Sequence, residues 1–203
     1  TGAPRLVALA IAVLLPLSCA TGGGLSVQVV NGTDDEIAVR DQLTRFQDAY
    51  DLEPFLFTRQ VRIDHTRVPF SHPVLTLHTR HLDDDDLQLS TLLHEQFHWY
   101  LDKRSRRVEP AISKLREMYP FAPSGFPKGA RDKHSTYLHL LVNRLEYRAL
   151  VSLVGRQRAD KAFAFWRNDH YTWIYEHVIR DGPAIDALLA KHALTGRTER
   201  PAE

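Results

Sequence analysis

The feature that most constrains this chain is a pair of histidines four residues apart, His94 and His98, with Glu95 directly after the first. Positions i and i+4 of an α-helix lie on one face about 5–6 Å apart, so the two imidazoles can bind one ion only if this stretch is helical. Leu93 and Phe97 supply an apolar stripe that can bury such a helix. The pattern therefore predicts a helix with a zinc site, beside which Glu95 is the candidate general base.

Composition excludes several other kinds of protein. The 26 basic and 25 acidic residues leave a formal net charge of +1. A general nucleic-acid binder carries a basic excess, so no nucleic-acid partner is expected. The single cysteine, Cys19, excludes a disulfide framework within the chain and a zinc site made of several cysteines.

The N-terminus has the pattern of an export signal. Arg5 precedes an almost wholly apolar run over residues 6–17, which has the length of a signal-peptide core. The residues around Cys19 fit ordinary signal cleavage and also resemble the end of a bacterial lipoprotein signal, in which the cysteine is lipidated. We expect residues 1–19 to be a signal peptide with Cys19 as the lipidation site, and residues 20–33 to be a flexible tether. The protein is then exported, either held on the periplasmic side of the cell envelope by this membrane anchor or secreted.

Residues 34–203 are predicted to form one α+β domain, mostly helical, with a short sheet before the helix that carries His94 and His98. The patterns predict strands at 25–30, 55–63 and 74–79, and helices at 34–50, 83–104, 109–118, 134–154, 159–180 and 183–194. The acidic run at 83–86 most simply caps a helix, and a calcium site is its alternative. Three prolines and two glycines predict a long loop over residues 119–133.

The third zinc ligand is less tightly specified by the sequence. A catalytic zinc takes three protein ligands and keeps one position open. Glu146 is preferred, because a carboxylate in a leucine-rich helix is costly to bury unless it is paired or metal-bound. Asp132, His134 and His139 stay open as alternatives.

This arrangement resembles the gluzincin metallopeptidases, the thermolysin-like group of zinc enzymes. They share HExxH on one helix and a glutamate ligand on a later helix, and the resemblance covers residues 74–150. It implies a small zincin-like domain in which His94, His98 and Glu146 bind Zn²⁺ and Glu95 is the general base.

Further roles are implied by the same resemblance. The strand at 74–79 is expected to be an edge strand that pairs with a peptide or protein substrate. Leu150 stands where thermolysin has an aspartate that orients a ligand histidine, so Asn143 becomes the candidate for that role. Enzymes of the group stabilise the developing negative charge with a histidine or tyrosine from later helices, which favours His170 and Tyr171 as catalytic residues.

The motif thus predicts a zinc-dependent hydrolase, and the resemblance implies that it is a metallopeptidase. The alternative is an exported, lipid-anchored binding or assembly protein whose zinc site is structural or degenerate.

Overall fold

The computed structural model describes residues 23–196, so the predicted signal peptide and Cys19 lie outside the described residues. Its strands are β1 (Ser26–Val29), β2 (Gln60–Ile63) and β3 (Leu75–Leu77). Its helices are α1 (Asp34–Ala49), α2 (Asp85–Asp102), α3 (Ser105–Met118), α4 (Lys133–Val154), α5 (Arg156–Asp169), α6 (Thr172–Arg180) and α7 (Gly182–Lys191). The prediction of a mostly helical α+β protein with a short sheet before α2 is confirmed.

The three strands form one parallel sheet in the order β1-β2-β3. Parallel neighbours need a crossover connection, and α1 supplies it between β1 and β2. β1 pairs with β2 from Ser26 to Val29, so the prediction of a tether over all of residues 20–33 is wrong. The ladder hydrogen bonds fix this strand on the sheet instead.

At the other edge of the sheet, a residue of the segment before β3 pairs with β3 at one position. The main-chain N–H of Phe70 donates to the carbonyl oxygen of Thr76 at 3.1 Å, and the N–H of Thr76 donates to the carbonyl oxygen of Phe70 at 2.8 Å. β3 is therefore an edge strand of the parallel ladder, as expected. At Thr76 both main-chain groups already have partners, so this residue offers no free main-chain group to a substrate.

A buried carboxylate joins the start of α1 to the turn after β2. Glu36 accepts hydrogen bonds from the main-chain N–H groups of Asn31, Gly32 and His65, and from the Asn31 and His65 side chains. Burial alone would raise the pKa of Glu36, but these hydrogen bonds outweigh it and hold the pKa well below its usual range.

Helices α2 and α4 lie side by side and carry the candidate site. Asp84, within the acidic run, caps α2 by accepting from two main-chain N–H groups, as predicted. Asp132 caps α4 by accepting from the N–H of Ser135, which gives this alternative zinc ligand a structural role. His98 of α2 contacts His139 of α4, and Ser90, earlier in α2, bonds to Glu146, later in α4, so the two helices run antiparallel.

The single helix predicted at 159–180 is two helices, α5 and α6. Tyr171 lies between them in the left-handed region, with φ 50° and ψ 36°. The first N–H groups of α6 donate to the loop over residues 119–132, at the carbonyl oxygens of Pro127 and Lys128. No glycine or proline marks this break, so helical periodicity alone could not show it.

Candidate metal centre

Three buried or half-buried histidines bring their ring nitrogens together between α2 and α4. The ligand atoms of His94, His98 and His139 all lie within 4.8 Å of one another. The Nε2 atoms of His94 and His98 are 3.2 Å apart. Two ligands of a tetrahedral zinc, each at about 2.0–2.1 Å, lie about 3.3–3.4 Å from each other. The spacing of the pair therefore fits one ion, and the three residues form a group that could hold it.

Hydrogen bonds set which nitrogen of two histidines is available. The Nδ1 of His139 donates to the carbonyl oxygen of Ser135 at 2.7 Å, and because a carbonyl only accepts, the lone pair of His139 is on Nε2. The Nδ1 of His94 lies 2.9 Å from a carboxylate oxygen of Glu146, whose pKa is raised to about 8 by burial. Ionised Glu146 can only accept, so that Nδ1 then donates and the His94 lone pair is on Nε2. Carbonyl and carboxylate partners of this kind orient metal-binding histidines.

Burial keeps these imidazoles neutral. It lowers the pKa of His94 to about 4, that of His139 to about 3, and that of His98 well below its ordinary value. A histidine binds a metal only in its neutral form. The three rings are therefore in the required protonation state near neutral pH.

Glu146, the residue predicted as the third ligand, lies outside this histidine group and contacts His94 instead. One carboxylate oxygen accepts from His94 Nδ1 and the other accepts from the hydroxyl of Ser90. The indole N–H of Trp166 donates to the same hydroxyl at 2.9 Å, which completes a buried chain that ends at His94. Because α2 and α4 run antiparallel, His139 lies beside His98, while Glu146 lies beside Ser90.

The remaining alternatives for this part of the site lie elsewhere. His134 is half-exposed and 3.6 Å from Glu109. Asn143 was expected to orient a ligand, but its fully buried amide has no hydrogen-bond partner among residues 23–196. Glu146 is the residue that contacts a ring nitrogen of His94.

Glu95 lies in the wall of the cleft at the metal centre and is 6% exposed. Burial raises its pKa to about 8, and the negative charge of Glu146 adds to that shift. A divalent cation among the histidines opposes both effects, since nearby positive charge favours the carboxylate.

The two residues predicted to be catalytic on the later helices also reach this cleft. The ring of Tyr171 is 4.6 Å from that of His139 and 4.8 Å from that of His170. The Nδ1 of His170 is 2.8 Å from a carboxylate oxygen of Asp169. Sequence reasoning missed Asp169, although its place directly before His170 was a usable signal.

Asp169 is itself held by Arg80, which follows β3. The Nη1 of Arg80 donates to Asp169 Oδ2 at 3.0 Å, and its Nη2 donates to Oδ1. These bonds lower the pKa of Asp169 to about 2, with a further contribution from His170. The carboxylate is thus ionised when it orients the His170 ring.

The centre opens into a cleft of about 690 Å³, a size typical of small-ligand and substrate sites. Both polar and apolar side chains line it. Val68 and Phe126 stand at the cleft and are 77% and 75% exposed, so the wall includes large apolar groups open to solvent.

Comparison with known protein families, with curated proteins and with solved structures finds no match for this chain. Among residues 23–196, no helix is long and apolar enough to cross a membrane.

Proposed function

We propose that this protein is a zinc-dependent hydrolase, and specifically a metallopeptidase, with His94, His98 and His139 as the zinc ligands. The observation that carries the proposal is the convergence of three neutral imidazoles beside Glu95 at the wall of a cleft. Neutral imidazoles suit zinc, and three of them leave its fourth position open. Zinc at such a site lowers the pKa of a water molecule toward 7 and polarises a carbonyl group.

The side chains of the cleft supply the rest of the reaction. Glu95 accepts the proton of the attacking water and delivers it to the leaving amine. His170, oriented by Asp169, and Tyr171 donate hydrogen bonds to the substrate carbonyl oxygen as negative charge develops on it. Glu146 keeps the His94 ring in place.

The proposal retains the gluzincin-like, zincin-type domain that the sequence resemblance implies, with one change. A histidine takes the place of the glutamate ligand, and the glutamate orients a ligand histidine.

Export and a membrane anchor on Cys19 are proposed from the sequence alone. Labelled fatty acid should be incorporated into the full-length protein made in a bacterial host and lost in Cys19→Ser. Incorporation that persists in Cys19→Ser would exclude this residue as the attachment site.

The decisive experiment combines metal analysis with cleavage of a peptide library. The purified protein should contain one zinc per chain and cleave peptides. Glu95→Gln should keep the zinc and lose the cleavage, because it removes the base and no ligand. If the protein contains stoichiometric zinc but shows no cleavage that depends on Glu95, the alternative of a structural zinc site is favoured. If it contains no zinc, both the hydrolase proposal and that alternative are wrong.

A further inference from the structure

The cleft wall contains a buried amide that lacks partners. Gln88 is 1% exposed and lines the cleft, yet neither its Nε2 nor its Oε1 has a hydrogen-bond partner among residues 23–196. Buried amides in proteins are almost always hydrogen-bonded, so an unpartnered one beside a cleft needs an explanation.

Another buried glutamine of α2 shows the ordinary situation. The amide oxygen of Gln96 accepts from the main-chain N–H groups of Phe57 and Thr58 at 2.8 and 2.9 Å, and its amide nitrogen donates to the Thr58 carbonyl. Gln96 therefore holds the chain before β2 in place. Gln88 has no comparable structural role.

The position of Gln88 on α2 relates it to the metal centre. Gln88, Thr91, Glu95 and His98 follow one another at helical spacing, and all four line the cleft. Seven residues separate Gln88 from Glu95, which corresponds to about 10 Å along the helix. An extended peptide covers that distance in about three residues.

Apart from Glu95 and Glu146, the Lys, Arg, Asp and Glu residues that line the described cleft are already paired. They are Arg80 and Asp169, and they bind each other. A free amino or carboxyl terminus of a ligand would find no unpaired opposite charge there. The interior of a peptide chain, which is uncharged along its backbone, fits better.

The edge of the sheet does not supply main-chain recognition at Thr76, where Phe70 already occupies both groups. A carboxamide side chain offers one acceptor and a donor, which complements the N–H and C=O of a peptide group. We propose that Gln88 binds a main-chain peptide group of an extended substrate, about three residues from the bond that is hydrolysed. This inference rests on the proposed function, and it makes the cleft a site for internal segments of a chain rather than for its ends.

The test uses zinc-binding hydroxamates of increasing length. One series extends acetohydroxamate by one to four alanines toward the amino end, and the other extends a succinyl hydroxamate by alanines toward the carboxyl end. Dissociation constants are measured by calorimetry on the zinc-loaded protein, on Gln88→Met, which keeps the side-chain length and removes the amide, and on Gln42→Met.

In the wild type, affinity in one series should rise as the chain reaches about its third residue. Gln88→Met should lose that gain, by about 3- to 10-fold for the loss of one or two neutral hydrogen bonds. Its melting temperature should be unchanged or higher, because the amide has no partner to lose. Gln42, which donates to Asp85 at 2.7 Å outside the cleft, is the matched control. Gln42→Met should melt lower and keep the gain.

An identical dependence on length in Gln88→Met and the wild type, or no dependence in the wild type, would overturn the inference. If Gln88→Met melts at a lower temperature and its affinities are unchanged, the amide binds an internal water molecule instead of a substrate. That result would also overturn the inference. Failure of the proposed function gives a different result. If binding depends on length and needs Gln88 but the protein hydrolyses no peptide, the peptidase proposal is wrong and the assignment of Gln88 remains.

Discussion

Replacing His139 with alanine should weaken zinc binding far more than replacing Glu146 with glutamine. The Oε2 of Glu146 lies 2.9 Å from Nδ1 of His94, while the other ring nitrogen, Nε2, faces His98. Loss of such an orienting carboxylate lowers metal affinity by roughly 10- to 100-fold, or about 1.4–2.8 kcal/mol. His139→Ala removes a ligand nitrogen and leaves two imidazoles, so its loss should exceed that range.

The affinities can be measured by competition with a chromophoric zinc chelator at neutral pH, after circular dichroism has shown that each variant is folded. His134→Ala is the matched control, because His134 lies on the same helix, is half-exposed and is paired with Glu109. It should bind zinc like the wild type. If Glu146→Gln releases zinc while His139→Ala retains it at wild-type affinity, the three-histidine assignment is wrong and the sequence-derived ligand set is restored.

Three further variants test other parts of the structure. Asp169→Asn should lower kcat while zinc affinity stays unchanged, because Asp169 contacts His170 and Arg80 and none of the three proposed zinc ligands; a parallel loss of zinc in chelator titrations would contradict this. Tyr171→Phe keeps the ring contacts, so its melting temperature should be unchanged while kcat falls by roughly 100-fold or more; an unchanged kcat would leave the role to His170 alone. Glu36→Gln should lower the melting temperature most near neutral pH. Because the pKa of Glu36 lies below its ordinary 4.5, its carboxylate stabilises the fold fully above that pH and loses this effect as the pH falls through the folded value. The difference from the wild type should therefore shrink in melts below about pH 4.5, and a constant difference would show that ionisation is not involved.

The helical half of the fold was predictable because its signals are local. Apolar periodicity placed α1, α2 and α4 within a few residues of their positions, and the acidic run located the beginning of α2. The strands are shorter than predicted, since β2 begins only at Gln60 after a 3₁₀ turn at Glu53–Phe55. A run of apolar residues does not show where ladder pairing starts.

The site was predictable as far as it lies on one helix. The spacing of His94, Glu95 and His98 fixes their common location, whichever way the rest of the chain packs. His139 and Glu146 are seven residues apart on one face of α4, and the sequence indicates that both face α2. The register between the two helices places the His139 ring beside His98 and the Glu146 carboxylate beside Ser90 and Nδ1 of His94. That register depends on packing between helices, which no local pattern encodes.

The pairing of Phe70 with Thr76 also bears on self-association. An exposed strand edge offers unpaired N–H and C=O groups to another molecule, and proteins that leave such an edge uncovered risk aggregation. Here a short segment of the same chain covers β3 at its midpoint, while the opposite edge, β1, is only four residues long and alternates exposed and half-buried side chains. Both edges of the three-stranded sheet are therefore poor templates for a further strand. A mutation that separates Phe70 from Thr76 should first produce oligomers or fibrils at high protein concentration.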